Sequence, residues 1–587
     1  MSNLEIAKLL KNVATAYIVK DEKKFRFQLL AYQKASETIA GLNGELIDYY
    51  KENKLDALPG IGPTIKSHLT ELFKTGKVKH FDWVLEGVPA SVFVLTEIPS
   101  FGPKKAFKLV NHFKLNDPKT IIADLKKVAE QGKIAPLEGF GEKSEADILR
   151  AIDEYKEGKG KTTRMVLPYA FEVAEKVLDY LKQEKSVDRA EILGSLRRRA
   201  STIGDIDFAV ATKDPKKVLE HFVNYPLKER TIEKGTVSAS ILVAGGKQID
   251  LLIQPEESFG SLLQHFTGSK NHNVHLREFA LKKGLSLSEK GIKNLKTNRM
   301  STYSDEKKFY EALGLEWIPP EMREDTGEIE LAVQNKLPKL VDLKEIKGDF
   351  HIHSSFPIEP SHDLGQSTPE EMLLEAKKLG YEYLGFSEHN PSQSKHTSVQ
   401  IYNLLKKRDE KIEQLKSSSK YVRIFKLLET DILPNGDIAI DDKSLELLDA
   451  TIVSIHSVFN MDKDKMTQRV LKGLSHKKAK ILAHPTGRLL GDRYGYDLDF
   501  EKIFEFCAKN NKALEINSWP QRLDLPDTLV KKAIEAGVKL VIDSDSHAAS
   551  QMILQKYGVF VARRGWATKN DILNTMSYNK ILEWFNK

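Results

Sequence analysis

The chain has 587 residues, 41% hydrophobic and 29% charged, with 90 basic against 83 acidic side chains and a net charge of +7. That length is too great for one hydrophobic core and predicts three or more globular domains, while the slight basic excess permits a polyanionic partner without requiring one. The one cysteine, Cys507, excludes an internal disulfide or a thiolate metal cluster and fits a reducing, cytoplasmic location; no apolar run is long enough to span a membrane, and the charged N-terminal helix pattern lacks a signal-peptide core.

The first 160 or so residues carry apolar positions at helical spacing and no strand alternation. A phrase recurs there: LPGIGPTIKSHL (58–69), IPSFGPKKAFKL (98–109) and LEGFGEKSEADIL (137–149), with Gly62, Gly102 and Gly141 aligned 40 and then 39 residues apart. Each copy reads as a turn followed by a helix. That sets free backbone N–H groups at a helix N-terminus, where phosphate binds, and Lys66, Lys104 and Lys105 add positive charge. The alternative is an ordinary helical connection whose glycine serves a left-handed turn. Three copies favour tracking of a phosphate backbone, with Gly60, Gly62 and Gly102 as expected contacts. The second copy has Ser100 at the first glycine; the third carries Glu142, Glu145 and Asp147 and is expected to bind phosphate least.

Residues 165–320 change to a mixed α/β pattern, with strand-like runs RAEILGS, DIDFAVAT, VSASILVA and KQIDLLIQ. In GSLRRRASTIGDIDFAVAT, Asp205 and Asp207 share one strand face, opposite Ile206, Phe208 and Val210. Asp250 faces away from Ile249, Leu251 and Ile253 in a later strand. Three converging carboxylates repel one another, and Mg²⁺ suits such hard oxygen ligands together with substrate phosphates. Two cations so held can activate a hydroxyl and stabilise a leaving pyrophosphate. Ser195 and Arg198 are placed to hold a triphosphate. The plainer alternative is that the aspartates form salt bridges with Arg197–Arg199.

WIPPEMREDTGEIELAVQNKLPKLV has prolines and charge without periodicity and reads as a linker and hinge. From Lys347, strand-like runs (GDFHIHS, YLGFSEH, ATIVSIH, KILAHP, ALEINS, KLVIDSDSH, GVFVA) alternate with helical segments, which predicts a parallel sheet or barrel. Many end in His, Asp or Glu: His351 and His353, His389, Glu429, His456, His484, Asp545 and His547. Ligands at the C-terminal ends of parallel strands suit a barrel metal site, and N/O ligation without cysteine fits Zn²⁺, Mn²⁺ or Fe²⁺ without choosing among them.

Taken together, GSLRRR…GDID, Asp250 and HFTGSKNHNVHLRE resemble the nucleotidyltransferase core of family X DNA polymerases, and the repeats resemble that family's helix-hairpin-helix units, over roughly residues 1–320. The resemblance implies that Asp205, Asp207 and Asp250 hold two catalytic Mg²⁺ or Mn²⁺ ions and that Asp250 helps deprotonate the primer 3′-hydroxyl. It implies that Gly194, Ser195 and Arg198 contact the incoming triphosphate. Phe266, Gly268 and Asn273 would shape the nucleotide pocket, and Arg277 would contact the template. Two positions depart from the family: His265 stands where a tyrosine is common, and His68 where relatives with lyase activity carry a lysine. The first leaves sugar selection open; the second argues against Schiff-base chemistry.

The region 346–587 resembles the polymerase-and-histidinol-phosphatase (PHP) domain, a distorted β/α barrel with a trinuclear metal centre. That resemblance implies the ligand set His351, His353, His389, Glu429, His456, His484, Asp545 and His547, with Asp363 as the ninth and Glu359 and His362 as competitors. Glu388 replaces the usual aspartate before His389. The expected fold is therefore multidomain α and α/β. Residues 1–85 form a helical DNA-binding domain with the first hairpin, and 86–160 a helical domain with further hairpins. Residues 161–258 form a nucleotidyltransferase palm with a mixed sheet, 259–320 a nucleotide-selection subdomain, 321–345 a linker, and 346–587 the barrel. The function implied is a monomeric, gap-filling repair polymerase acting on gapped or primed DNA and deoxynucleoside triphosphates. The barrel would add 3′-5′ exonuclease or 3′-end processing, with cleavage at abasic sites left open. The competing readings are a small-molecule nucleotidyltransferase fused to a phosphoesterase and a non-catalytic DNA-end scaffold.

Overall fold

The computed structural model describes residues 3–40, 46–51, 54–58, 60–96, 98, 101–156, 164–244, 247–490 and 495–587. The chain divides into two compact units, Met1–Thr163 and Arg164–Lys587. Among the described residues no helix is long and apolar enough to cross a membrane.

Among the described residues, the regular elements of the first unit are all helices. Its repeated phrase builds one turn three times. The N–H groups of Ile61, Phe101 and Phe140 donate to the carbonyls of Leu58, Ile98 and Leu137 at 3.1, 3.2 and 2.9 Å. The carbonyls of Gly62, Gly102 and Gly141 then accept the first bonds of helices Pro63–Thr75, Pro103–Phe113 and Glu142–Lys156. Proline at the first helical position suits this start, since its missing N–H would have had no partner there. Ile61, Phe101, Ile65, Leu109 and Ile148 bury into a common core. Gly60 has φ +82°, and a Cβ there would press on the Lys34 side chain at 2.6 Å. Ser100 lies outside the described residues.

The second unit begins with a five-stranded mixed sheet. Its strands are β1 (Arg189–Ile192), β2 (Ile206–Ala211), β3 (Lys228–Lys234), β4 (Ser238–Val243) and β5 (Lys247–Gln254), in the order β1-β2-β5-β4-β3. β2 and β5 run parallel, with Asp207 opposite Asp250. The alternation in β5 buries Ile249, Leu251 and Ile253 and leaves Asp250 on the other face. Helices Phe259–Thr267 and Lys270–Lys282, a small antiparallel sheet and helix Glu306–Ala312 follow.

The stretch expected to be a linker, 321–345, is instead packed. Arg323 is fully buried and pairs with buried Glu306 at 2.7 Å; Glu328 accepts from buried His272 at 2.7 Å; and Ile329 and Ala332 on helix Glu328–Val333 join a core with Leu276 and Tyr310. Prolines and charge without periodicity read as a linker because the partners that neutralise the charge, Glu306 and His272, lie elsewhere in the chain. The hinge expected there has no structural counterpart.

The remainder forms parallel strands β6 (Gly348–Ile352), β7 (Tyr383–Phe386), β8 (Arg423–Lys426), β9 (Glu429–Asp431), β10 (Thr451–Ser454), β11 (Ala479–Leu482), β12 (Ala513–Asn517) and β13 (Lys539–Asp543). Two sheets, β6-β7-β8 and β9 through β13 in sequence order, are joined by parallel bridges Ile352↔Ser546 and His389↔Glu429, which close a distorted barrel. GVFVA, expected as a strand, lies in helix Gln555–Arg564. A five-residue apolar run does not distinguish strand from buried helix. Gly558 decides the packing here: a Cβ would meet Ser518 Oγ at 2.2 Å, so this face lies directly on the barrel.

Candidate metal centres

Asp205, Asp207 and Asp250 each offer a carboxylate oxygen within 4.8 Å of the others. Asp205 precedes β2 and is exposed; Asp207 and Asp250 are partly buried. Burial, then the charges of Asp205 and Asp250, pushes the Asp207 carboxyl up to about 7. Ser240 donates to Asp250 Oδ1, and Gln248 Nε2 lies 3.0 Å from both its oxygens. Gly194, at φ +58°, lets the preceding loop close over Asp207: a Cβ would sit 2.5 Å from Asp207 Oδ2. An all-oxygen, mutually repelling set of this kind suits a hard divalent cation.

Arg197–Arg199 do not bridge to these aspartates. Arg197 makes a bidentate pair with Glu306 at 2.8 and 2.9 Å. Arg198 Nε donates to Glu324 at 2.9 Å and its Nη1 to the Thr267 carbonyl at 2.6 Å. Arg199 lies between the rings of Phe171 and Phe560, 4.5 Å from each. Ser195 stands in the short helix Gly194–Arg197 beside this cluster, and Gly268 abuts Arg198, whose Nη1 a Cβ would meet at 3.2 Å. Asn273 is buried; it donates to the His265 carbonyl at 2.6 Å and accepts from Gln264 at 2.8 Å, which ties the two helices together. Phe266 is exposed, and Arg277 Nε donates to the Asn273 carbonyl at 3.1 Å. Burial and nearby Arg277 lower the His265 pKa, which keeps that imidazole neutral.

In the helical unit, Lys66 pairs with Asp56 and Lys104 with Glu22 at 2.8 Å, while Lys105 lies over Phe101 and Phe140. In the third hairpin Glu145 accepts from the N–H groups of Ile134 and Ala135 at 2.7 and 3.0 Å, so its acid braces a loop.

The barrel gathers its histidines at the C-terminal ends of the strands. Glu429 is the hub: its oxygens lie 3.1 Å from His351 Nε2, 2.9 Å from His389 Nδ1, 3.4 Å from His456 Nε2 and 3.0 Å from His484 Nε2. Asp545 lies 3.2 Å from His353 Nε2. Asp363 reaches His389 at 3.3 Å and His547 at 3.2 Å, whereas Glu359 turns away to His396 and His362 faces Asp431. Burial opposes protonation of His389, but Glu429 and Asp363 outweigh it and raise its pKa to about 10. Both ring nitrogens of His353, Nε2 of His351 and His547, and Nδ1 of His484 are buried without a hydrogen-bond partner among the described residues. Buried polar atoms normally have partners. Unpartnered imidazole nitrogens facing carboxylates are the donor set of a divalent metal centre.

Three supporting carboxylates escaped the reading of the sequence. Glu515 on β12 accepts from His351 Nδ1 and from the His484 N–H, both at 2.6 Å. Asp431 accepts from His456 Nδ1 at 2.7 Å. Asp543 accepts from the Phe350 N–H at 2.8 Å. Asp431 follows Glu429 at i+2 on one strand, and Glu515 is the lone acid of an apolar strand; either signal was available. Glu388 is held by Ser354 and by buried Arg408 at 2.6 Å, behind the histidines.

Comparison with known proteins bears on both regions. The helix-hairpin-helix domain family matches residues 1–78 and the DNA polymerase beta thumb family residues 262–324. The C-terminal part is 26% identical over 249 residues to a probable phosphatase of Thermoanaerobacter sp. (strain X514), covering 41% of this chain and 94% of that protein. Rat DNA polymerase lambda is 22% identical over 310 residues, 49% of each chain. The "DNA polymerase/3'-5' exonuclease PolX" of Bacillus subtilis (strain 168) is 33% identical over 583 residues, 99% of both chains. With that match running through hairpins, thumb and barrel alike, the chain belongs to the family X DNA polymerases.

Proposed function

We propose that the chain is a monomeric, cytoplasmic DNA-directed polymerase that fills short gaps during repair, with a metal-dependent 3′-5′ exonuclease in its barrel. The observation that carries the reading is the juxtaposition of Asp207 and Asp250 on neighbouring strands with Asp205 just before β2, in a chain that also carries a closed histidine–carboxylate centre. In this reading residues 161–258 are the palm, 259–320 select the nucleotide, 346–587 form the phosphoesterase barrel, and 1–85 and 86–160 grip DNA.

Asp205, Asp207 and Asp250 would hold two Mg²⁺ or Mn²⁺ ions, which supply hydroxyl activation and charge neutralisation on the triphosphate. Asp250 takes the primer 3′-hydroxyl proton at Oδ2, because Oδ1 accepts from both Ser240 and Gln248 whereas Oδ2 accepts from Gln248 alone. Gly194, Ser195 and Arg198 bind the triphosphate. Phe266 and Gly268 line the base and sugar, Asn273 fixes the turn between their helices, and Arg277 contacts the template. The first-turn N–H groups of helices Pro63–Thr75 and Pro103–Phe113, set up by Gly60, Gly62 and Gly102, take DNA phosphates, and Lys66, Lys104 and Lys105 exchange their present partners for them.

In the barrel, His351, His353, Asp363, His389, Glu429, His456, His484, Asp545 and His547 would hold three cations, Mn²⁺, Zn²⁺ or Fe²⁺, which supply a hydroxide for phosphodiester hydrolysis. Glu515 keeps the proton of His351 on Nδ1, and Asp431 does the same for His456, so each Nε2 lone pair faces inward.

The test is a one-nucleotide-gapped duplex with a 5′-labelled primer and Mn²⁺, with and without deoxynucleotides. The expected result is a longer primer with nucleotides and a shorter one without. No change in either lane overturns the reading.

A further inference from the structure

Three consecutive arginines follow Gly194-Ser195, and only the middle one is read as touching the nucleotide. Its neighbours are spent on structure: Arg197 on Glu306, Arg199 on Phe171 and Phe560. Arg198 is held from one edge. Its Nε donates to Glu324 Oε1 at 2.9 Å and its Nη1 to the Thr267 carbonyl at 2.6 Å. A guanidinium carries five N–H donors, so three remain without a partner among the described residues.

Glu324 does not act alone. The same Oε1 accepts from Arg564 Nη1 at 2.9 Å, and that nitrogen also lies 2.7 Å from the Arg198 carbonyl. Arg564 ends the barrel helix Gln555–Arg564 and is nearly buried; Asp527 accepts from its Nε at 2.7 Å. A side chain of the barrel thus grips both the backbone of Arg198 and the carboxylate that orients its guanidinium.

We propose that Arg564 is a positioning residue for nucleotide addition: with Glu324 it fixes Arg198 so that the open edge of the guanidinium faces the triphosphate. The barrel then contributes to nucleotide affinity at the palm without touching nucleotide. This rests on the reading of Arg198 as a triphosphate contact. A guanidinium held in advance loses less freedom on binding, so the grip acts on affinity rather than on the chemical step.

The test is steady-state nucleotide addition on one-nucleotide-gapped DNA by the full-length Arg564→Met, Glu324→Ala, double and Arg198→Ala variants. Removal of 3′ nucleotides is measured on the same preparations without nucleotides. Arg564→Met and Glu324→Ala are each expected to raise KM for the nucleotide about tenfold with kcat within about twofold. The effect of the double variant should fall short of the product of the two single effects, because both residues hold Arg198 through the shared Glu324 oxygen. Removal of 3′ nucleotides should be unchanged. An unchanged KM in Arg564→Met, with a raised KM in Arg198→Ala, overturns the inference and leaves the role of Arg198 standing. An unchanged KM in Arg198→Ala overturns both. Equal losses of synthesis and 3′ removal in Arg564→Met mean a general folding defect and also overturn it. Should that variant be insoluble, the same split is read on Glu324→Ala, whose substitution lies outside the barrel.

Discussion

The palm cluster lies on the neighbouring interior strands β2 and β5 and just before β2, with Asp205 exposed, and consists of oxygen ligands alone. The barrel cluster is closed: His351, His353, Glu429 and His484 are buried, and carboxylates brace the imidazoles from behind. The first arrangement leaves coordination positions for substrate phosphates, as suits cations that bind through few carboxylates. The second holds most of its donors inside the protein, with Asp363 exposed at its rim, and leaves buried nitrogens unpartnered. The difference teaches how to read buried charge. A cluster whose nitrogens have no partner awaits a ligand, whereas Glu306, buried beside Arg197 and Arg323, is already balanced.

The sharpest way to break this comparison is to remove one member of each cluster. Asp207→Asn should lower nucleotide addition by about 10³-fold and leave 3′-end removal intact, and His353→Ala should do the reverse, since each loses one ligand of an electrostatic centre. A gel-based primer assay reads both; parallel loss in either variant would mean the clusters are not independent.

Glu306→Gln should destabilise the second unit by about 3–5 kcal/mol at pH 7, because it leaves buried Arg323 and half-buried Arg197 without their anion. Burial alone would raise this carboxyl, but Arg323 and then Arg197 hold it well below the usual range. With the folded value below the unfolded one, the stabilisation is present above about pH 4.3 and is lost as pH falls through and beneath it. Urea unfolding across that window should show the wild type losing more stability than the variant, with no response to added Mn²⁺ at this position.

Glu515→Gln should weaken metal retention or 3′-end removal about 10- to 100-fold through the misoriented His351, with synthesis unchanged; metal content after gel filtration checks it. The smallest effect belongs to the hairpins. Lys66→Ala and Lys104→Ala should each reduce the salt dependence of DNA affinity by about one unit of slope, uniformly across sequences, and fluorescence anisotropy at several salt concentrations measures it.

Much of this protein was legible in residue order because the decisive signals are local. The i, i+2 spacing of Asp205 with Asp207 and of His351 with His353 fixes a shared face before any sheet is formed. The glycine phrases specify their turns in five residues, and ligands at successive strand ends announce a barrel. The choice among Asp363, Glu359 and His362 could not be read from residue order, because it depends on the loop's path: Asp363 lies 3.3 Å from His389 and 3.2 Å from His547, while His362 lies beside Asp431. What residue order left open depends on partners distant in the chain. Arg197 finds Glu306 across 109 residues, Arg198 finds Glu324 across 126, and Arg564 reaches Arg198 across 366. The same physics turned a charged, proline-bearing stretch at 321–345 into a packed seam and an apolar run at 558–562 into a helix. Local pattern sets which face a side chain occupies; only the assembled fold sets which opposite charge or surface it meets there.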